Sequence, residues 1–143
     1  MISQLTVFLA NEKGRLAAAS RVLSDAGINM QALFIADTAD FGIVRIFCDT
    51  PALAAAKLAE AGFRATITPV IAVSVADEPG TLARLLEFCH QSSMNIEYGY
   101  CFAAGDGRAI DVLKIEGEGA EEALAAAGFK VLAPEEVYVV DPS

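Results

Sequence analysis

The residues best suited to chemistry in this sequence lie in two short loops that read alike. Asn11-Glu12-Lys13-Gly14-Arg15-Leu16-Ala17 returns 66 positions later as Asp77-Glu78-Pro79-Gly80-Thr81-Leu82-Ala83. An Asx residue, a glycine and then a helix direct unpaired backbone N–H groups and the positive end of the helix dipole at one point, where an anionic group would settle. Glycine at 14 and 80 permits a positive φ or the close approach of a ligand to the backbone. The amides of Arg15, Leu16, Thr81 and Leu82 are then the candidate donors. Asn29 and Asn95, also 66 apart, each open a second strand. An asparagine offers a donor pair and an acceptor, which suits a zwitterion carrying both carboxylate and ammonium. A plain helix start, with Asn11 or Asp77 assisting a turn, is the competing reading of the loops, and a strand-start turn that of the asparagines.

Little else in the chain points to reactivity. No nucleophile stands beside a base, and His90 is the single histidine. Cys48, Cys89 and Cys101 are odd in number, widely separated and set in apolar runs, so they read as buried free thiols rather than a disulfide frame or a metal site. Glu116, Glu118, Glu121 and Glu122 surround an expected helix start, where dipole compensation accounts for them. No metal and no cofactor are expected.

The elements that position the loops follow from periodicity. Leu5, Val7 and Leu9 alternate as in a half-buried strand, and so do Ile71, Val73 and Val75. After each glycine the spacing becomes helical, with Leu16, Ala19, Ser20 and Leu23 in one copy and Leu82, Leu85, Leu86 and Cys89 in the other. Residues 29–36 and 42–48 form a hairpin around Thr38-Ala39-Asp40, matched by 95–102 and 108–115. A second helix follows in each copy, ending at Gly62 and Gly128, and a short strand closes the unit. Asp40 maps to Asp106 and Leu58 to Leu124 at the same offset, so no insertion is needed.

The order βαββαβ, present twice, predicts two tandem ferredoxin-like α+β sandwiches, each an antiparallel sheet with its helices on one face. The expected domains are residues 1–68 and 69–143, meeting near Pro69 with almost no linker. In the first copy, the face turned from the helices should carry Phe8, Leu33, Ile35, Ile43 and Phe47. That is too apolar for open water, and it suits packing on the second copy and a homodimer interface.

Composition bounds the partners. Apolar residues make up 55% of the chain and charged ones 20%, enough for packed cores and against disorder. The net charge is −9, and residues 69–143 carry the excess, with four basic against thirteen acidic side chains. Such a surface repels phosphate backbones, which excludes nucleic acid and anionic membranes as partners. Tyr98, Tyr100 and Phe102 alternate along one strand and read as core or dimer contacts rather than a base-stacking platform. No run approaches the roughly 18 apolar residues of a membrane span, and the start lacks a signal-type block, so a cytoplasmic protein is expected.

The two loops, taken with Gly27-Ile28-Asn29-Met30 and Ser93-Met94-Asn95-Ile96, resemble the ACT domain pattern. Asp77-Glu78-Pro79-Gly80-Thr81-Leu82 is the nearer match, whereas Asn11 and Lys13 stand where the family usually has Asp and Pro. The resemblance covers nearly the whole chain and is to stand-alone tandem ACT proteins with no attached catalytic domain. It implies a non-catalytic regulatory module that binds an amino acid or similar small molecule between domains, through the first loop and the second strand. Carried over residue by residue, it implies one site of Asn11, Gly14, Arg15, Leu16 and Asn29 and another of Asp77, Gly80, Thr81, Leu82 and Asn95. Met30 and Ile96 are expected to line the pockets. Two other functions compete: a small enzyme of acylphosphatase type, using Arg15 and Asn29, and a purely structural interaction module. Replacement of Arg15 by Thr81 in the second copy weighs against catalysis.

Overall fold

The computed structural model describes residues 1–10, 12–36 and 41–143. Asn11 and the predicted turn at Thr38-Ala39-Asp40 lie outside the described residues. The element order is β1 (Ile2–Ala10), α1 (Arg15–Asp25), β2 (Met30–Ala36), β3 (Phe41–Cys48), α2 (Pro51–Glu60), β4 (Arg64–Ala76), α3 (Thr81–Gln91), β5 (Ile96–Gly105), β6 (Arg108–Ile115), α4 (Ala120–Ala126), β7 (Lys130–Val131) and α5 (Pro134–Val137). This is βαββαβ twice, with one difference in the joints. The strand closing the first repeat is not short: β4 runs 13 residues through Pro69 and also serves as the first strand of the second repeat.

The chain divides into two compact units, Ser3–Thr68 with Val137–Ser143, and Met1–Ile2 with Pro69–Glu136. We call them the first and second unit. Each end of the chain thus groups with the unit remote from it in sequence, whereas a linear division at 68/69 leaves each end with its neighbour.

In the first unit the strand order is β2-β3-β1-β4, with β1 antiparallel to β3 and β3 to β2. Leu5, Val7, Leu9, Val44, Ile46 and Cys48 line the helix-facing side and pack with Ala19 and Leu23 of α1 and Ala54 and Leu58 of α2. These helix residues recur at four-residue spacing, so each helix buries one stripe. The second unit repeats the order as β5-β6-β4-β7. Its core gathers Ile71, Val73, Val75, Leu113 and Ile115 under Leu85, Cys89, Ala120 and Leu124.

Strand register corrects two sequence expectations. Leu33 stands opposite Ile46 and Ile35 opposite Val44, so both lie on the helix side rather than the other face. Residues 32–36 are apolar at every position, so alternation carries no phase there, and a bulge between Met30 and Ala32 resets it. Val7 faces Val44 in the first unit, whereas Val73 faces Asp111 in the second. The counterpart of Val44 is therefore Asp111, 67 positions on, and the second hairpin holds one extra residue. The uninterrupted offset of 66 fails in this strand and resumes after it, as Gly62 and Gly128 both end their helices in the left-handed region.

The last seven residues clasp the first unit. Phe47, fully buried on the face away from the helices, meets Tyr138 edge to face at 5.6 Å, and the Ser3 amide donates to the Tyr138 hydroxyl at 3.0 Å. The Val139 amide donates to Asp49 Oδ1 at 2.8 Å, and the Thr50 amide to the Val139 carbonyl at 2.7 Å. Asp141 then accepts from the amides of Ala52 and Leu53, both at 2.9 Å.

Candidate functional site

Both glycine loops enter their helices in the same way. Gly14 has φ 85° and Gly80 φ 93°, a left-handed conformation that an L side chain rarely adopts. A Cβ at either place would meet nothing within 4 Å, so backbone conformation rather than crowding calls for glycine. The first helical hydrogen bonds run from Ala18 to the Gly14 carbonyl at 2.9 Å and from Arg84 to the Gly80 carbonyl at 3.0 Å. The amides of Leu16 and Leu82 precede those donors and have no intrahelical carbonyl to reach. Those of Arg15 and Thr81 make long turn bonds, to Glu12 at 3.3 Å and Glu78 at 3.4 Å. Of the four predicted donors, the amides of Leu16 and Leu82 make no backbone bond among the described residues.

The predicted side chains take varied roles. The Thr81 hydroxyl donates to the carbonyls of Ala76 at 2.6 Å and Glu78 at 3.1 Å and is buried, so it shapes the loop from within. Asp77 is exposed at the loop's start. The Arg15 guanidinium lies 4.4 Å from the Phe63 ring centroid. Met30 packs against the first unit's core.

Asn29 and Asn95 are not beside the loops of their own units. Because β4 is antiparallel to β6 and β6 to β5, β4 and β5 run parallel, and α3 separates the end of one from the start of the other. Eleven helical residues at about 1.5 Å each span roughly 16 Å. Each asparagine instead ties its strand to the end of the third strand. The Asp49 amide donates to the Asn29 carbonyl at 3.1 Å and the Glu116 amide to the Asn95 carbonyl at 2.9 Å, while Asn95 Nδ2 donates to Glu116 Oε2 at 2.9 Å. The same geometry parts Arg15 from Asn29, so the pair that an acylphosphatase-type reading needs does not converge within the unit.

A cavity opens beside each loop, and the two differ. In the first unit it holds ≈ 160 Å³ among Leu9, Arg15, Leu16, Ile35, Gly42 and Val44, with Ala10 and Glu12 at its edge. In the second it holds ≈ 260 Å³ between α3, β5 and β6, lined by Leu82, Leu86, Ile96, Gly99, Cys101, Asp111, Leu113 and Tyr100. Each cavity thus brings together two predicted residues, Arg15 and Leu16 in the first unit and Leu82 and Ile96 in the second.

Residues 1–137 match the family described as the ACT domain pair. The chain belongs to this family. Protein BT0572 from Bacteroides thetaiotaomicron is similar throughout, at 36% identity and a TM-score of 0.90, over 96% of this chain and 95% of that one. The regulatory subunit of aspartate kinase from Thermus thermophilus, in its ligand-free form, shares the fold at 22% identity and a TM-score of 0.64, over 87% and 89% of the two chains. Its counterpart from Thermus flavus does so at 24% and 0.59, over 87% and 88%. No curated protein matches the chain.

Within this ACT pair, the sequence reading missed Asp111. It is 3% exposed, and its Oδ2 has no hydrogen-bond partner among the described residues. Burial pushes its carboxyl pKa up, and a hydrogen bond from the Cys101 thiol directly opposite on β5 partly offsets that. Cys101 is exposed, which corrects the expectation of three buried thiols, whereas Cys48 and Cys89 are buried. The signal was legible: a lone carboxylate interrupts the apolar run Ile110-Asp111-Val112-Leu113. Among the described residues, no three His, Cys, Asp or Glu side chains gather as a metal site, and no helix is long and apolar enough to cross a membrane.

Proposed function

We propose that this ACT pair is a non-catalytic regulatory protein of the cytoplasm that binds an amino acid or a close analogue. The ligand carboxylate lies against the open first turn of α3, at Gly80 and the Leu82 amide. The observation that carries the reading is the second unit's arrangement: an exposed left-handed glycine, a free helix start and an adjoining cavity lined by Leu82 and Ile96. The first unit, with the smaller cavity, presents Gly14, Arg15 and Leu16 and is the weaker site. Asn29 and Asn95, exposed at the far ends of their strands, serve the ligand of an adjoining ACT domain rather than that of their own unit. The active assembly is a homodimer. On the edge strand β2, Leu33 and Ile35 are 42% and 47% exposed, an apolar strip that pairing of two copies removes from water. Ligand binding then shifts the populations of two assembly states.

Calorimetric titration with the twenty amino acids tests the reading. One or a few should bind, and Gly80→Val should weaken binding while leaving the circular dichroism spectrum intact. Absence of heat across the whole panel overturns it in favour of a purely structural interaction module. Sedimentation velocity with and without the ligand tests the dimer.

A further inference from the structure

The two units present the same scaffold with different side chains at three matched positions. Where the first unit carries Leu33, Ile35 and Val44, the second carries Gly99, Cys101 and Asp111, as the strand pairings show. All three replacements face the helix side of the sheet, and all three line the ≈ 260 Å³ cavity. Leucine to glycine removes a side chain at the mouth. A Cβ restored at Gly99 would stand 2.9 Å from Leu113 Cδ2 and 3.1 Å from the Val112 carbonyl oxygen, so the backbone there runs against β6 with no space to spare. Valine to aspartate places a carboxylate in the floor.

That carboxylate is costly to keep without a purpose. Burying a carboxylate oxygen with no partner opposes folding, and the first unit shows that valine fits the same place. The rim around it is apolar and reachable: Leu82 is 39% and Leu86 38% exposed, with Ile96 and Leu113 below. An apolar channel ending in one acceptor recognises a cationic donor on an aliphatic body, because an ammonium pairs with a desolvated carboxylate while the chain displaces water from leucine side chains. The volume is below the ≈ 300–1,000 Å³ of drug-sized pockets and suits a metabolite of amino-acid size.

We propose that Asp111 receives the ammonium group of a small aliphatic amine, an α-amino acid first of all, whose apolar body lies between Leu82, Leu86, Ile96 and Leu113. For the amino-acid class this rests on the ligand-binding reading above, and it assigns the ammonium group borne on the same carbon as the carboxylate. The site belongs to the second unit alone, since Val44 leaves the first without an acceptor.

Titration of the whole protein with L-leucine, isoamylamine and isocaproate separates the contributions of the ammonium and the carboxylate. Leucine and isoamylamine should bind and isocaproate should not. Asp111→Asn should weaken both binders about ten- to hundred-fold, the loss expected for one charge-assisted hydrogen bond. Asp111→Val, which copies Val44, should do the same and guards against misfolding of the asparagine variant. Either binder should also slow alkylation of Cys101 by iodoacetamide. Unchanged affinity in both variants overturns the assignment of Asp111 while the sensor reading stands. Asp111-dependent binding of isoamylamine with no amino acid bound does the reverse. Failure of both leucine and isoamylamine to bind the unaltered protein overturns the amine site outright.

Discussion

Asp141 supplies the N-terminal cap of a helix that begins ninety residues earlier, and removing its carboxylate should loosen the first unit measurably. Thr50 precedes α2 in the left-handed region, at φ 40°, and its side chain makes no cap. Pro51 has no N–H, and the first turn holds no acidic residue. The remaining free donors are the amides of Ala52 and Leu53, and Asp141 accepts from both at 2.9 Å. Loss of a capping side chain costs about 1 kcal/mol, and loss of a negative charge at a helix N-terminus a further 0.3–1 kcal/mol or so. Asp141→Ala should therefore cost about 1.5 kcal/mol. For a unit of this size each kcal/mol lowers Tm by roughly 4–8 °C, which predicts a fall of about 6–12 °C for that unit by calorimetry. Asp141→Asn keeps an acceptor and loses the charge, so it should fall between. Amide exchange at Ala52 and Leu53 should quicken ahead of the core. A Tm for Asp141→Ala within about 2 °C of the parent, with exchange at those amides unchanged, would refute the reasoning.

Three further outcomes follow from the contacts described. Tyr138→Ala removes the ring against Phe47 and leaves the Ser3 amide without its acceptor; it should cost about 3 kcal/mol or more in urea unfolding, and Tyr138→Phe about 1. Asp111 has its folded pKa raised above the ordinary 3.8, so the folded state holds the proton more tightly than the unfolded chain. Its contribution is favourable below that value and is lost as pH rises through the raised one; Asp111→Val should gain about 1–3 kcal/mol at neutral pH and little at pH 3. Under native conditions iodoacetamide should reach Cys101 first, because it is exposed. Cys89 is buried, and Cys48 is buried with its pKa pushed up to about 12 by desolvation and by the nearby Asp49 and Asp141. Mass spectrometry of the labelled peptides checks the order.

Much of the architecture was legible because the repeat states it twice. The glycine at 14 and 80, the alternation at 5–9 and 71–75 and the paired helix stops at 62 and 128 each imply local geometry, and a second copy makes coincidence a poor account of them. What the chain concealed was long-range. The fate of Val137–Ser143 depends on acceptors at Asp49 and donors at Ala52 and Leu53, and no periodicity in a seven-residue tail encodes partners so far away. Strand phase fails where the signal is uniform: Ala32-Leu33-Phe34-Ile35 gives no alternation, so nothing local tells which face Leu33 and Ile35 take. The convergence expected of loop and asparagine failed on connectivity, since a helix must intervene between consecutive parallel strands.

The missed aspartate shows how a repeat should be read once its register is known. Aligned at a constant 66, Asp111 falls on Arg45, and a charged residue replacing a charged residue attracts no attention. Aligned by strand pairing, it falls on Val44, a core position, and the substitution becomes an apolar side chain exchanged for a buried carboxylate. Gly99 and Cys101 shift meaning in the same way, from scattered differences to neighbours of that carboxylate on one face of the sheet. Two units under equal demands for stability would retain valine in both. A buried carboxylate, a glycine and a cysteine gathered at positions that line one cavity, at a cost to the core, are what a binding requirement placed on the second unit alone would produce. If that is the cause, reversing the divergence by Cys101→Ile with Asp111→Val, the residues of the first unit at those positions, should raise the melting temperature of the second unit and abolish its binding together. A double variant that gained stability and still bound leucine as tightly would detach the divergence from ligand recognition.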